Sequence, residues 1–266
     1  MSYSVTSKNY QHSRKGYSVV QTTVPFQKAK TKEKNTMKGI GKNRTAQLIF
    51  QSFYVALALV ACVGSVGFYD MKFTVDFYIY FTNIANYLCA GVMIAELIQT
   101  AGRQKEDYVT TAPSLRMISM LGLVLTFLIF NILLANDPAR DPALNYKVEC
   151  ILCHIILPVM YVADWVMFYE HGKINWKLPL LSALFPLLYL VYVFIHAALW
   201  RFDSSKLNYA GTDPIIYPYF FLNPERVGIS GIVIWVLALL AGFVFLGYLF
   251  MMTDHLLGKR LKINTT

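Results

Sequence analysis

The sequence predicts an all-α, polytopic membrane protein with six transmembrane helices and both termini in the cytoplasm. Of its 266 residues, 56% are hydrophobic and only 15% are charged, which is too apolar for an ordinary soluble domain. Six apolar stretches are long enough to cross the hydrocarbon, and in lipid such stretches must be helices because backbone groups need internal partners. The distribution of Lys and Arg predicts the orientation.

The six predicted spans occupy one continuous part of the chain, residues 46–255, which we interpret as a single transmembrane domain. Each span has the length of helix that a bilayer requires. Their predicted limits are residues 46–69, 77–99, 115–135, 147–169, 178–200 and 229–252.

Lys and Arg are concentrated on one side of these spans. Eighteen of the 24 lie in the two tails and near the second and fourth loops, which places those segments in the cytoplasm. Residues 1–45 are rich in Ser, Thr, Lys, Asn and Gln, and are predicted to be a disordered basic tail. Residues 256–266 form a short basic tail. The net charge of +9 reflects this topology, so we expect contacts with membrane lipids and no nucleic-acid partner.

The fourth span contains the residue on which the functional hypothesis depends. His154 lies inside a segment that is otherwise lipid-embedded, and an ionisable residue there indicates a functional site. Pro158, four residues later, cannot donate a hydrogen bond to the His154 carbonyl, and its ring distorts that turn. We therefore expect a loosened helix at the histidine.

Polar residues on three other spans fall at a similar depth. Counted from the outer boundary, Thr82, Asn131, His154 and His196 all lie about 6 to 10 Å deep. Thr82 also shares a helix face with Asn86, one turn later. Such residues can simply form hydrogen bonds between neighbouring helices. Because four groups come from four helices, however, we predict a polar chamber in the outer leaflet.

The longest outer loop, residues 201–228, is rich in proline and aromatic residues. Tyrosine rings favour the headgroup level of a membrane, so the loop suits an extended segment at the interface. It would either cover the chamber as a lid or form part of an aromatic belt.

The residue types in the predicted chamber suit acyl transfer. A threonine hydroxyl becomes a nucleophile when a base takes its proton, and histidine can do this at neutral pH. Thr82 and His154 meet this requirement in type and depth, although no acid at that depth supplies a third triad member. Amide donors from Asn83, Asn86 or Asn131 would stabilise an oxyanion. A lipid ester would enter sideways from the outer leaflet.

Two alternatives come from other functional classes. In a transporter or binding protein the polar layer would hold a solute or lipid, with Glu96 and Asp164 relaying protons. If these two acids do not relay protons, we expect them to pair with basic loop residues near the cytoplasmic face or to mark a second polar site. The stretch Cys150-Ile-Leu-Cys153-His154 matches the pattern for covalent haem attachment, which would make the protein a redox protein.

Three stretches of the sequence resemble one family. They are Tyr80-Phe-Thr82-Asn on the second span, His154-Ile-Ile-Leu-Pro158 followed by Asp164-Trp165 on the fourth, and Tyr217-Pro-Tyr-Phe-Phe-Leu-Asn-Pro224 before the last. The chain here is similar to the androgen-induced-gene and androgen-dependent TFPI-regulating protein family, more closely to its bacterial six-span relatives, over about residues 46–255.

The resemblance implies a membrane-embedded threonine hydrolase of fatty acid esters of hydroxy fatty acids. By motif, the nucleophile would be Thr82 and the base His154, and no metal or other cofactor would be needed. The resemblance also implies a bacterial cell membrane as the location.

Overall fold

The computed structural model describes residues 43–71, 73, 75–102, 112–138, 141–202 and 215–263. Across these residues the regular structure is entirely helical, which confirms the predicted all-α class. Six helical segments are long and apolar enough to cross a membrane. The protein is therefore an integral, multi-pass membrane protein. The predicted disordered tail lies outside the described residues apart from residues 43–45.

We label the six spans α1 to α6 in chain order. Two of them, α3 and α4, contain a short π-helical turn, and α5 is interrupted after its first five residues. The limits are Arg44–Ser65 for α1, Phe81–Gly102 for α2, Pro113–Leu134 for α3, Val148–Phe168 for α4, Leu178–Ser182 with Leu184–Phe202 for α5, and Pro224–Ile263 for α6.

The start of α2 differs from the prediction in a way that matters for the site. Val75–Ile79 form a separate 3-10 turn, so α2 begins at Phe81 rather than at residue 77. Thr82 consequently lies in the first turn of a helix. The first N–H groups of a helix have no partner within it and point out of its end.

The last span, α6, is longer than predicted. It is kinked at Gly228, where φ is 67°, a conformation that glycine adopts without steric cost. Beyond residue 252 it continues as helix, and Asp254 in this extension accepts hydrogen bonds from the backbone N–H groups of Gly172, Lys173 and Ile174. Residues 256–263, predicted to be part of a tail, are therefore the end of a docked helix.

The π-helical turns of α3 and α4 are Phe130–Leu134 and Leu152–Ile156. At the end of the second turn, the Leu157 N–H donates to the Leu152 carbonyl, five residues back. Pro158 follows directly and has no N–H to continue the α-helical pattern. The predicted loosening of the helix at His154 is confirmed, and it takes the form of an inserted residue, which is frequent at functional sites.

Helices α1 to α4 surround a common apolar core in which Tyr54, Met93, Met120 and Tyr161 are fully buried. A second core, rich in aromatic residues, lies between the start of α2, α5 and the segment before α6. Thr82 follows Phe81, a member of this second core, and Cys153 of the first core precedes His154. The polar pair therefore lies where the two cores meet.

Helix α1 approaches the start of α4 closely at Gly64. A methyl group added there would lie 2.6 Å from the Tyr69 ring and 2.7 Å from Glu149 Cβ. This contact explains the small residue at the position.

We expect Gly64→Ala to destabilise the protein by about 1–3 kcal/mol, because the added methyl overpacks the contact between α1 and α4. The matched control is Gly91→Ala on α2, where no described atom lies within 4 Å of the new methyl. Thermal unfolding in detergent, followed by tryptophan fluorescence, compares the two variants. Equal melting temperatures for the two variants would contradict the close packing at Gly64.

Candidate active site

The structure brings Thr82 and His154 together, although they come from different helices. Thr82 Oγ1 lies 3.3 Å from His154 Nε2, and the Thr82 side chain is only 8% exposed. Catalytic hydrogen bonds are often slightly long without substrate and tighten when it binds. A hydroxyl and an imidazole at this distance can exchange a proton.

The other ring nitrogen of His154 sets its tautomer. Nδ1 lies 2.8 Å from the Cys150 carbonyl oxygen, and because a carbonyl can only accept, Nδ1 carries the hydrogen. Nε2 is then unprotonated and faces the Thr82 hydroxyl, as a general base requires. The Phe130 ring stacks on the imidazole with centroids 3.8 Å apart and fixes its plane. A backbone carbonyl thus takes the orienting role for which the sequence offers no acid.

Two asparagines hold the turn of α4 that Pro158 interrupts. Without an N–H, Pro158 cannot donate to the carbonyls four and five residues back, which belong to His154 and Cys153. Asn86 donates to the Cys153 carbonyl at 3.2 Å, and Asn131 approaches the His154 carbonyl at 3.5 Å. Lipid offers no water to replace these donors. Asn86 and Asn131 therefore position the histidine.

This role leaves Asn86 unsuited to the predicted oxyanion contact. Its amide nitrogen has two hydrogens, and it donates to both the Thr82 and Cys153 carbonyls. Asn131 similarly donates to the Phe127 carbonyl at 2.7 Å. Of the three predicted asparagines, Asn83 lines the chamber described below, and its amide nitrogen lies 2.7 Å from the Phe77 carbonyl oxygen.

The structure does not bring His196 to the site. It is buried, with the rings of Tyr78 and Tyr192 at 6.0 and 6.3 Å between centroids. The chamber around Thr82 and His154 is lined by other residues. Counting depth along a helix does not give the direction in which a side chain points, which is why the prediction grouped His196 with the others.

The N-terminus of α2 supplies oxyanion donors that the sequence did not reveal. The N–H groups of Asn83 and Ile84 donate to the Tyr80 carbonyl. Those of Phe81 and Thr82 point instead toward Tyr219. Burial raises the pKa of the Tyr219 hydroxyl, while hydrogen bonds with the Thr82 side chain and with these two backbone groups lower it. The Thr82 hydroxyl has one hydrogen, so it donates either to Tyr219 or to His154 Nε2 at any one time. An oxyanion would have to replace the Tyr219 hydroxyl to accept hydrogen bonds from these two N–H groups, where the positive end of the helix dipole would also stabilise it.

Thr82 and His154 both line an open chamber of about 700 Å³. Its rim is polar and carries charges of both signs, including Asp137, Asp141, Glu149 and Arg226. Lys147, also at the rim, forms an ion pair with Asp70, and this hydrogen bond raises the pKa of the Lys147 ammonium. The chamber would therefore receive a polar or charged part of a ligand.

A second, almost wholly apolar slot of about 80 Å³ begins at the same threonine. Thr82, Leu134 and Tyr219 line both the slot and the chamber. The remaining slot residues come from α2, α3, α5, α6 and the segment before α6: Phe81, Leu125, Thr126, Ile129, Pro186, Leu187, Tyr189, Leu190, Phe221, Leu222, Val236, Leu239 and Leu240. The hydroxyl thus lies where a polar and an apolar compartment join.

The segment before α6, which is the last part of the predicted outer loop, lines the chamber. Tyr217, Pro218, Tyr219, Phe220 and Asn223 all line it. The preceding residues 203–214 of the loop lie outside the described residues.

The contacts around the two cysteines do not fit covalent haem. Cys153 is only 4% exposed, and Nε2 of His154, the atom that would face an iron, faces Thr82. Phe130 covers one face of the imidazole. Among the described residues, no group of three or more His, Cys, Asp or Glu side chains is arranged to hold a metal ion.

The two acids of the transporter alternative lie elsewhere. Both form ion pairs with Arg116, which is a buried residue of α3 rather than a loop residue. Glu96 is about 21 Å along α2 from Thr82. They therefore form a second polar site, separate from the chamber.

No protein-family model, curated protein or solved structure matches the chain. What the fold and the site define is a class, a six-span membrane protein with a hydroxyl–imidazole pair between its second and fourth spans. The family resemblance therefore remains a proposal.

We expect Asn86→Leu, which keeps the approximate shape but removes both donors, to destabilise the protein by about 1–3 kcal/mol, because two buried carbonyls lose a partner. The control is Asn136→Leu, which removes an exposed hydrogen bond to the Asn131 carbonyl and should change stability little. Thermal unfolding in detergent measures both. A neutral Asn86→Leu would contradict the positioning role.

Proposed function

We propose that this protein is an intramembrane hydrolase of lipid esters, with Thr82 as nucleophile and His154 as general base. The observation that carries the proposal is the 3.3 Å contact between Thr82 Oγ1 and His154 Nε2 at the junction of the polar chamber and the apolar slot. An ester of a fatty acid has the matching division, an apolar chain and a polar carbonyl end.

The proposed reaction has two steps that share one base. Thr82 Oγ1 attacks the ester carbonyl while its proton moves to His154 Nε2, and the carbonyl oxygen becomes an oxyanion that takes the place of the Tyr219 hydroxyl at the N–H groups of Phe81 and Thr82. The alcohol leaves with the proton from Nε2, and the acyl group stays on Thr82. Water then attacks the acyl-threonine and gives its proton to Nε2, the bond from the acyl carbon to Thr82 Oγ1 breaks, and Nε2 returns the proton to Oγ1, so that a fatty acid and the Thr82 hydroxyl result.

The two compartments indicate where each part of a lipid ester would bind. The acyl chain would occupy the apolar slot, and the alcohol part would occupy the chamber with its charged rim. Fatty acid esters of hydroxy fatty acids, the substrates that the family resemblance implies, fit this description. With both termini in the cytoplasm of a bacterial cell, the chamber would open toward the outer leaflet of the cell membrane.

A second candidate is a transporter or binding protein for a small solute or lipid. It is favoured by the size of the chamber, about 700 Å³, and by buried acids on α2 and α4. Proton-coupled uptake that is abolished by Glu96→Gln, without any ester turnover, would favour transport over hydrolysis.

We expect an acyl-reactive fluorophosphonate to label Thr82, because Nε2 of His154 increases the nucleophilicity of the hydroxyl. Peptide mass spectrometry of the labelled protein locates the adduct. Labelling should be lost in Thr82→Ala and His154→Ala and retained in His196→Ala, the matched histidine control outside the chamber. Ester turnover that persists in Thr82→Ala would remove the nucleophile assignment.

The apolar slot should determine the preference for acyl chain length. Leu190→Trp fills the slot, whereas Leu188→Trp on the same helix is a control at a residue that is 67% exposed and outside it. Burial of one methylene contributes about 0.8 kcal/mol, so kcat/KM should fall about fourfold for each methylene that the tryptophan displaces.

Turnover of a series of p-nitrophenyl esters of increasing acyl length measures this preference. Leu190→Trp should keep activity on the shortest esters and lose it on long ones, while Leu188→Trp follows the native profile. An identical profile for both variants would place the acyl chain elsewhere.

A further inference from the structure

A buried cluster of charges lies far from the proposed active site. Arg116 on α3 forms ion pairs with Glu96 on α2 and Asp164 on α4. The side chains of these three residues are 2%, 6% and 0% exposed, respectively. Buried charges are normally paired, because each unpaired one is costly in an apolar environment.

The charges of this cluster do not balance. One guanidinium faces two carboxyl groups, which leaves one excess negative charge if both carboxyls are ionised. The rings of Tyr161 and Tyr169 each lie 5.6 Å from the guanidinium carbon, but a tyrosine at neutral pH carries no charge to offset it. The excess charge has to be neutralised from elsewhere.

Neighbouring basic side chains in the described part of the chain have other partners. Arg44 on α1 donates to the carbonyls of Thr100 and Ala101. Lys173 forms an ion pair with Glu170. His171, which packs against Trp165, pairs with Asp254 of α6.

Several buried polar atoms around the cluster have no hydrogen-bond partner among the described residues. They include two nitrogen donors, Gln51 Nε2 and Arg116 Nε, and five oxygens. Two of the oxygens belong to the acids themselves, Glu96 Oε1 and Asp164 Oδ1. Three more come from α1: Gln47 Oε1, Gln51 Oε1 and the Tyr54 hydroxyl. Gln51 and Tyr54 are 0% exposed, so water outside the protein does not reach these oxygens.

The register of α1 against α4 places these side chains at the level of the acids. The ring of Tyr54 lies 5.6 Å from that of Tyr161, and the ring of Phe50 lies 6.0 Å from that of Phe168. Gln51 is between Phe50 and Tyr54, and Asp164 is between Tyr161 and Phe168. Gln47, Gln51 and Tyr54 also share one helix face, which is the buried face of α1.

We infer that this cluster is a binding site for one monovalent cation, either a proton on the Glu96 carboxyl group or a sodium ion held by the unpartnered oxygens. A charge of one neutralises the cluster, whereas a divalent ion would leave an excess positive charge. Carboxylate, amide and hydroxyl oxygens are ligands that hard cations prefer.

The site is independent of the proposed hydrolase chemistry. It is about 21 Å along α2 from Thr82. The experiment that tests the cation site requires neither a substrate nor turnover. Its result can therefore reject the cation site without rejecting the proposed hydrolase, and the reverse is also possible.

Infrared spectroscopy of the full-length protein in lipid nanodiscs tests the inference, because a protonated carboxyl has a C=O stretch distinct from that of a carboxylate. In sodium-free choline chloride at neutral pH, the spectrum of the native protein should contain the C=O band of one buried, protonated carboxyl. Glu96→Gln should remove it, since the remaining charges then balance. The control Asp70→Asn, which removes an exposed carboxylate from the Lys147 pair, should leave it unchanged.

Replacing choline by sodium distinguishes the two cations. If sodium binds, the band of the protonated carboxyl should weaken. The melting temperature should also rise, by about 2–4 °C for each kcal/mol of binding free energy. Glu96→Gln should abolish both effects. If only a proton binds, neither quantity should respond to sodium.

The infrared spectrum and the melting temperature of the native protein test the inference whether or not the variants fold. Absence of the carboxyl band in choline, together with no sodium-specific stabilisation, would mean that the cluster keeps its excess negative charge. That result would overturn the inference.

Discussion

The site depends on one constraint, that backbone carbonyls inside a membrane must find donors within the protein. Pro158 removes the donor that the turn at His154 would otherwise use. Asn86 on α2 and Asn131 on α3 supply donors to the two carbonyls concerned. Three helices are thereby tied together around one residue, and the histidine is held at the point where they meet.

The same requirement organises the chemistry on both sides of the pair. The Cys150 carbonyl takes the Nδ1 hydrogen of His154 and leaves Nε2 free to act as a base. Because α2 begins at Phe81, the N–H groups of Phe81 and Thr82 are free of the helical pattern and bond with Tyr219. Near the other end of α2, Arg116 partly neutralises two acids. Within the described part of the chain, the Thr82–His154 pair and the Arg116 cluster are thus separate polar networks in a largely apolar bundle.

The sequence predicts the helices well, because a span requires a long apolar stretch whatever its neighbours are. It also predicts the distortion at Pro158 and the common depth of Thr82 and His154, which follow from local chemistry and the helical rise. It does not predict the rotation of each helix about its axis. For this reason His196 was grouped with the site although it packs between tyrosines, and Tyr219 was missed. The 3-10 turn before α2 and the docking of α6 through Asp254 depend on tertiary contacts that have no local pattern.

The proposed chemistry of Thr82 and His154 is tested most directly by trapping the acyl-enzyme. Purified protein is mixed with a fatty acid ester, quenched in acid after a few turnovers and analysed by peptide mass spectrometry. The proposed mechanism predicts the mass of the acyl group on the peptide that contains Thr82, and on no other threonine or serine. Ester turnover with unmodified Thr82, or with the acyl group on a different residue, would contradict it.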